Sequence, residues 1–310
     1  MNAIVLLIQT ALELGLIMSL TVMALFLSYS MLDVCDLSTD GCYTLGAAVG
    51  AMVALAGHPY LAILAAMAAG VASGFITAFL QTKMGVDSLI SGIVVNTGLY
   101  SINMAIMGGS ALQNMNNTET VFTKMENLLE GTFLSAQSDL MTILIAVILV
   151  AIILIIFLKT RLGLAIRATG NNPAMVKSSS INPVFTTIVG LCVANAFTGL
   201  SGCLMAQSQK YADINMGTGT VTIALASLLI GRTIFKRARI PVQVIGAIIG
   251  AIIFRLAYTA ALRLQFPAYM LKLISSVIVV LIIFIPYIMK KYPMLKRRLE
   301  VGKARRGGAR

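Results

Sequence analysis

The chain reads as long apolar runs separated by short polar joints. Nine such runs stand out, at 3–29, 43–57, 60–81, 89–107, 139–158, 184–206, 218–231, 241–261 and 269–289. None alternates with period two, as a membrane β-barrel strand would. Most are close to the roughly 20 residues that a helix needs to cross a bilayer core of about 30 Å. Two of them, 43–57 and 218–231, are too short for a straight crossing, and the first run is long enough to tilt or bend. Glycines Gly46, Gly50, Gly70, Gly74, Gly92 and Gly98, set among alanines, offer small faces on which helices can approach closely. The pattern predicts an all-α polytopic membrane protein of about eight to ten transmembrane or half-membrane helices.

Composition removes the soluble alternatives. The 310 residues are 58% hydrophobic and only 11% charged, with a mean hydropathy of +0.93, whereas soluble domains average about 25% charged residues. The charges also give an orientation. Of 23 basic residues, 21 lie at or after Lys159, chiefly in three clusters: Lys159, Arg161, Arg167 and Lys177; Arg232, Lys236, Arg237 and Arg239; and nine between Lys290 and Arg310. Lys and Arg collect in cytoplasmic loops, so all three clusters and the C-terminus are expected inside. The acidic stretch 108–138, with Glu119, Glu126 and Glu130 against Lys124, is expected outside. One transmembrane domain then spans 1–310. Its first half is 1–158, a cytoplasmic loop covers 159–183, the second half is 184–289 and the basic tail is 290–310. The side of the N-terminus stays open, because a re-entrant piece near 30–57 would reverse it. The first apolar run has no basic leader and no small-residue cleavage site, and is expected to be a retained anchor. The basic tail is read as a topological signal that also meets anionic lipid, with no nucleic-acid partner.

Catalytic and metal chemistry find little footing. The chain has no G-x-x-x-x-G-K-[ST], G-x-S-x-G or H-E-x-x-H pattern. Cys35, Cys42, Cys192 and Cys203 lie in or beside apolar runs without a C-x-x-C spacing, and are expected to be small packing residues. His58, the single histidine, precedes Pro59 in a turn. Asn116-Asn117-Thr118 matches a short glycosylation pattern that carries little weight. Any nucleotide chemistry is expected on another chain, with no metal or cofactor bound here.

The most unusual polar stretch is "SMLDVCDLSTDGCYTLGAAVGA", residues 30–51, where Asp33, Asp36 and Asp40 interrupt two apolar runs. A carboxylate in lipid costs several kcal/mol, and irregular backbone at membrane depth survives only against protein or a water-filled cavity. Asp36, Ser38, Thr39 and Asp40 are therefore expected to line a polar pathway, or to form a loop capping a helix that begins near Thr44. A similar lead occurs at "DINMGTGTVTIALA". With one inserted residue, Asp36 pairs with Asp213, Gly41 with Gly219, Thr44 with Thr222 and Ala48 with Ala226. Two structural repeats with broken helices are expected, adding Asp213 and Asn215 to the pathway.

The stretch "KTRLGLAIRATGNNPAMVKSSSINP", residues 159–183, holds an amphipathic turn with Arg161 and Arg167, followed by a break at Gly170-Asn171-Asn172. Pro173 suits the first turn of a new helix capped by Asn172 and running through Ala174 and Lys177 to about Ser180. Such a helix on the cytoplasmic side makes a docking element over residues 170–181.

The order of an apolar helix, "DLSTDGCYTLGAA", an acidic outer loop, "TRLGLAIRATGNNPAMVKSSSIN" and a basic end resembles the permease subunits of ABC importers, in the branched-chain amino-acid, ribose and nucleoside permease family. It is similar above all to permeases of the tryptophan/tyrosine type, through Asp36, Leu37, Ser38, Asp40, Gly41, Leu45, Gly46 and Ala47. The second motif matches at Thr160, Arg161, Gly163, Ala168, Gly170, Asn172 and Ala174, but has Ser180-Ile181 where the family usually has Gly-Ile. The resemblance implies a permease paired with a second copy or a related permease. It also implies ATPase subunits that use ATP and dock at Arg161, Arg167, Gly170, Asn171, Asn172, Pro173, Ala174 and Lys177, and an extracytoplasmic substrate-binding protein. Two other classes stay open on the residues: an ion-coupled secondary transporter using Glu13, Asp36 and Asp213, and a structural membrane subunit.

Overall fold

The computed structural model describes residues 3–129, 137–235 and 238–262, and beyond these 270, 273, 275–281 and 284. Residues 1–256 form one compact unit and 257–310 a second. The predicted segment 269–289 lies largely outside the described residues, and the tail 290–310 wholly so. The elements are α1 (Ala3–Leu25), continued as a π-helical turn over Phe26–Met31, α2 (Thr39–Leu55), α3 (Pro59–Thr82), α4 (Ser88–Ile106), β1 (Leu112–Asn114), α5 (Val121–Leu129), α6 (Ser138–Lys159), α7 (Arg161–Asn171), α8 (Pro173–Ser178), α9 (Pro183–Gln209), β2 (Tyr211–Asp213), α10 (Thr220–Ile234) and α11 (Ile240–Leu262). Among the described residues six helices are long and apolar enough to cross a membrane. The short α2 and α10, 17 and 15 residues, stand beside them. The protein is an all-α, multi-pass membrane protein.

Helix α9, at 27 residues about 40 Å long, is the axis of the first unit and packs on α1, α2 and α3. Small residues set these contacts. Gly46 of α2 faces Gly199 of α9 so closely that a Cβ at position 46 would collide with the Gly199 backbone. An alanine layer from α2 and α3 (Ala47, Ala51, Ala54, Ala62, Ala66) closes against Cys203 and Ala206. Lipid gives helices no hydrophobic drive to associate, so close backbone packing supplies the contact energy. Helix α6 shows the lipid-facing pattern: Ile143, Val147, Leu154 and Leu158 are buried, while Ile145, Ile148, Ile152 and Ile156 are exposed.

Two ends of the bundle are defined by contacts. At one, the Arg232 guanidinium of α10 donates to Ser30 Oγ at 3.4 Å, and Gly170 of α7 packs on the backbone of Met31 and Leu32. Arg232 and Gly170, the latter between Arg167 and Lys177 in sequence, thus meet the same end of α1. At the other end, the Val121 N–H of α5 donates to Gln207 Oε1 at 2.9 Å, and Lys124 pairs with Glu119 at 3.5 Å. Among the described residues, the acidic stretch therefore lies at the end opposite to Arg232 and the α7–α8 region. Strand β1 pairs antiparallel with β2, Leu112 opposite Asp213, tying the loop after α4 to the chain leaving α9.

Three boundaries differ from the sequence reading. Helix α2 starts at Thr39, five residues before the expected Thr44, and Ser38 at its N-cap makes no side-chain cap. Helix α7 runs through Gly170 to Asn171, because Gly170 meets the Met31 carbonyl where a side chain could not fit. It is a close-approach glycine, and the break falls at Asn172 alone. The stretch 170–181 is accordingly the end of α7, the short α8 and a turn. The repeat also loses its register. Each half has a long helix, a break and a short helix. Helix α2 begins three residues after Asp36 and α10 seven after Asp213, and Gly41 is helical where Gly219 has φ 85°.

Candidate functional site

The break after α1 is built residue by residue. The π-helical turn at Phe26–Met31 widens the helix end, with Leu32 N–H donating to Leu27 O at 3.1 Å. Asp33 then takes φ 57°, a left-handed conformation that Asp tolerates better than most residues. Asp36 folds back on its own chain: its Oδ1 accepts the Ser38 N–H at 2.8 Å and the Ser38 hydroxyl at 2.6 Å. Its Oδ2 accepts the Asn195 amide of α9 at 2.7 Å. Asn195 is the thirteenth residue of α9, about 18 Å from that helix's start. Asp36 therefore sits near mid-depth of the longest helix, satisfied by protein donors as a buried carboxylate must be. Thr39 Oγ1 donates to Asp36 O at 2.9 Å, and Thr77 Oγ1 of α3 to Ser38 Oγ at 3.1 Å.

Asp40 has a different task. It lies in the first turn of α2 but caps α10. Its Oδ2 accepts the Gly219 N–H at 2.9 Å; its Oδ1 accepts the Thr220 hydroxyl and the Val221 N–H, each at 2.8 Å. The Thr44 hydroxyl accepts the Gly217 N–H at 3.1 Å. The N-termini of the two short helices thus converge, and one carboxylate offsets the positive ends of both dipoles.

Two cavities flank this junction. The first, about 300 Å³, is lined by Asp40, Thr44, Asn96, Tyr100, Asn103 and Asn215 among others. The second, about 350 Å³, holds Tyr43, Asp213, Asn215 and Arg255. Asn215 and Thr218 line both, so the segment after β2 separates them. Of the six expected pathway residues, Asp40, Asp213 and Asn215 line cavities. Asp36, Ser38 and Thr39 are closed inside the protein, 2%, 0% and 3% exposed, and brace the junction from behind. Asp36 and Asp213 share one local feature: each accepts the N–H two residues on, Asp213 from Asn215 at 2.6 Å. Among the described residues no group of three His, Cys, Asp or Glu could hold a metal.

The expected docking residues gather at the basic end. Asn172 Oδ1 accepts the Met175 N–H at 3.1 Å and caps α8, with Pro173 at its first turn. Arg161, Asn171, Asn172, Pro173, Ala174, Met175 and Lys177 are exposed, and Arg167 is half-buried. Val176 is buried beneath them, and the Thr169 and Thr186 hydroxyls lie 2.8 Å apart, holding α7 to α9. Helix α7 is thus anchored to α9, and α8 is seated by Val176 with its outward face exposed.

Sequence reading missed three contributors. Asn195 and Asn103 were ordinary amides in apolar runs until α2 packed against them; the Asn103 amide donates to Gly41 O at 3.1 Å. Arg255 was legible: a lone arginine, the sixteenth of 23 residues in an apolar helix, is expensive in a membrane and marks a functional position.

A multi-pass helical bundle with two short helices meeting inside it, and a polar cavity on each side, defines a solute-conducting membrane protein. Over residues 7–285 the chain matches the family described as branched-chain amino acid transport system / permease component, and it belongs to that family. It is 34% identical over 267 residues to a tyrosine transport system permease protein of Clostridioides difficile, covering 86% of each chain. It is 25% identical over 258 residues to the ribose import permease protein of Escherichia coli K12, covering 81% of this chain and 76% of that one. A guanosine ABC transporter permease protein of Bacillus subtilis is 30% identical over 185 residues, covering 57% of this chain and 58% of that one. No solved structure matches the chain. The chain is a membrane permease subunit of the ABC importer family, which displaces the ion-coupled alternative.

Proposed function

We propose that this permease imports a small solute, an aromatic amino acid first among candidates, handed to it by an extracytoplasmic binding protein at the α5 end. ATPase subunits dock on α7–α8 at the opposite, cytoplasmic end, and the C-terminus is on the cytoplasmic side of the membrane. ATP acts on those partners, and this chain holds no cofactor. A second permease copy, identical or related, completes the pathway. The substrate class rests on the name of the Clostridioides difficile relative, which shares more identity than the ribose permease does.

One observation carries the coupling role. Helix α8 presents Ala174, Met175 and Lys177 outward, while Gly170, a few residues back, abuts the backbone at the end of α1 from which the aspartate break starts. A push on α8 reaches the break through the short Asn172 joint and Gly170. Exposed Ser101 on α4, a membrane helix, supports the second copy, because a polar group facing lipid carries a cost.

Ala174→Glu tests the docking face. Because Ala174 is exposed, membrane insertion and expression should stay near wild type, while recovery of the ATPase in a pull-down falls by roughly tenfold or more, as for an interface hot spot. A charge change at Lys124 in the α5 region should leave recovery unchanged. Full recovery with Ala174→Glu would move docking elsewhere, first to the basic loop around Arg232 and Arg239.

A further inference from the structure

The second cavity combines opposite charges with pliable apolar surface. Asp213 and Arg255 line it together with Met18, Met205, Met216 and Tyr43. Among the described residues the Asp213 carboxylate accepts one hydrogen bond, from Asn215 N–H at 2.6 Å, and forms no ion pair. Arg255 reaches the cavity from α11, where its Cβ packs on Gly15 of α1. The first cavity lacks this pairing: its carboxylate, Asp40, already accepts three hydrogen bonds from the start of α10, and its other polar groups are amides and hydroxyls.

We infer that the second cavity is a transit site for a free amino acid, with the ammonium drawn to Asp213, the carboxylate to Arg255, and the side chain lying among Met18, Met205 and Met216. The inference rests on the amino-acid reading above and extends it to named residues. Each charge of a zwitterion meets its opposite, so the occupied cavity carries no new net charge. Such pairs gain strength where water is scarce. Three methionines suit side chains of varied shape, because the unbranched thioether repacks readily. About 350 Å³ falls at the small end of ligand pockets, in keeping with one amino acid.

The test uses the permease co-purified with its ATPase in lipid nanodiscs, with L-tyrosine as the probe. Tyramine, which lacks the carboxylate, and 3-(4-hydroxyphenyl)propionate, which lacks the amine, serve as competitors. Wild type should prefer tyrosine to each by roughly tenfold or more, the range of one charge-assisted contact. Asp213→Asn should erase the preference over the propionate while keeping that over tyramine. Arg255→Gln should do the reverse, and Arg255→Lys should restore part of it. A merely structural role would weaken all three ligands together. Equal binding of tyrosine and both analogues by wild type, unchanged preferences in both variants, or binding of ribose or guanosine in place of any amino acid would overturn the inference. ATPase recovery, read in the same samples, reports on the permease assignment independently of the cavity.

Discussion

Asp40 stands in the first turn of α2 and accepts three hydrogen bonds from the first residues of α10, so one side chain joins two helices that share no sequence neighbourhood. Asp40→Ala should cost about 2–4 kcal/mol, since hydrogen bonds to charged groups contribute about 1.5–3 each and some loss is recovered by water at this half-exposed site. The measurement is the thermal unfolding midpoint in detergent, which should fall clearly, with Asp40→Asn falling less. An unchanged midpoint for Asp40→Ala would mean the junction holds without it. The need for protein around these aspartates was legible in the sequence, because carboxylates amid apolar runs must be solvated by something. Their partners were not. Whether an aspartate lines a cavity or braces it depends on the neighbour packed against it, and Asn195, which fixes Asp36, lies 159 positions away.

At the scale of elements, most helices were legible because membrane spans are long and apolar: α3, α4, α6, α9 and α11 begin and end within a few residues of their apolar runs. What the pattern could not show were the exceptions set by tertiary contact. The π-helical turn, the early start of α2 and the continuation of α7 through Gly170 each answer a neighbour. Gly170 yields the sharpest expectation here. A Cβ at that position would strike the Met31 carbonyl and the Leu32 backbone, so Gly170→Val should shift α7 away from the end of α1. Transport should fall by at least roughly tenfold, the scale of an overpacked contact costing about 1–3 kcal/mol. ATPase recovery should persist, since the outward residues of α8 are untouched. The contrast with Ala174→Glu, which loses recovery, separates docking from transmission. Normal transport by Gly170→Val would show that motion does not pass through this contact.

On the scale of the whole molecule, a separation of basic and acidic ends was expected from charge, and among the described residues the contacts at Ser30 and Gln207 place Arg232 and the acidic stretch at opposite ends. The family match extends over 7–285, and membership in that family accords with a chain that has no nucleotide-binding pattern. On the proposed function, a solute crosses this protein only when ATPases bound at α7–α8 drive it. Uptake of labelled tyrosine into proteoliposomes, with permease, ATPase and binding protein reconstituted together, tests that claim most directly. Uptake should need ATP and the binding protein, ignore proton and sodium gradients, and be lost with Ala174→Glu. Tyrosine uptake driven by an ion gradient in liposomes holding the permease alone would contradict it.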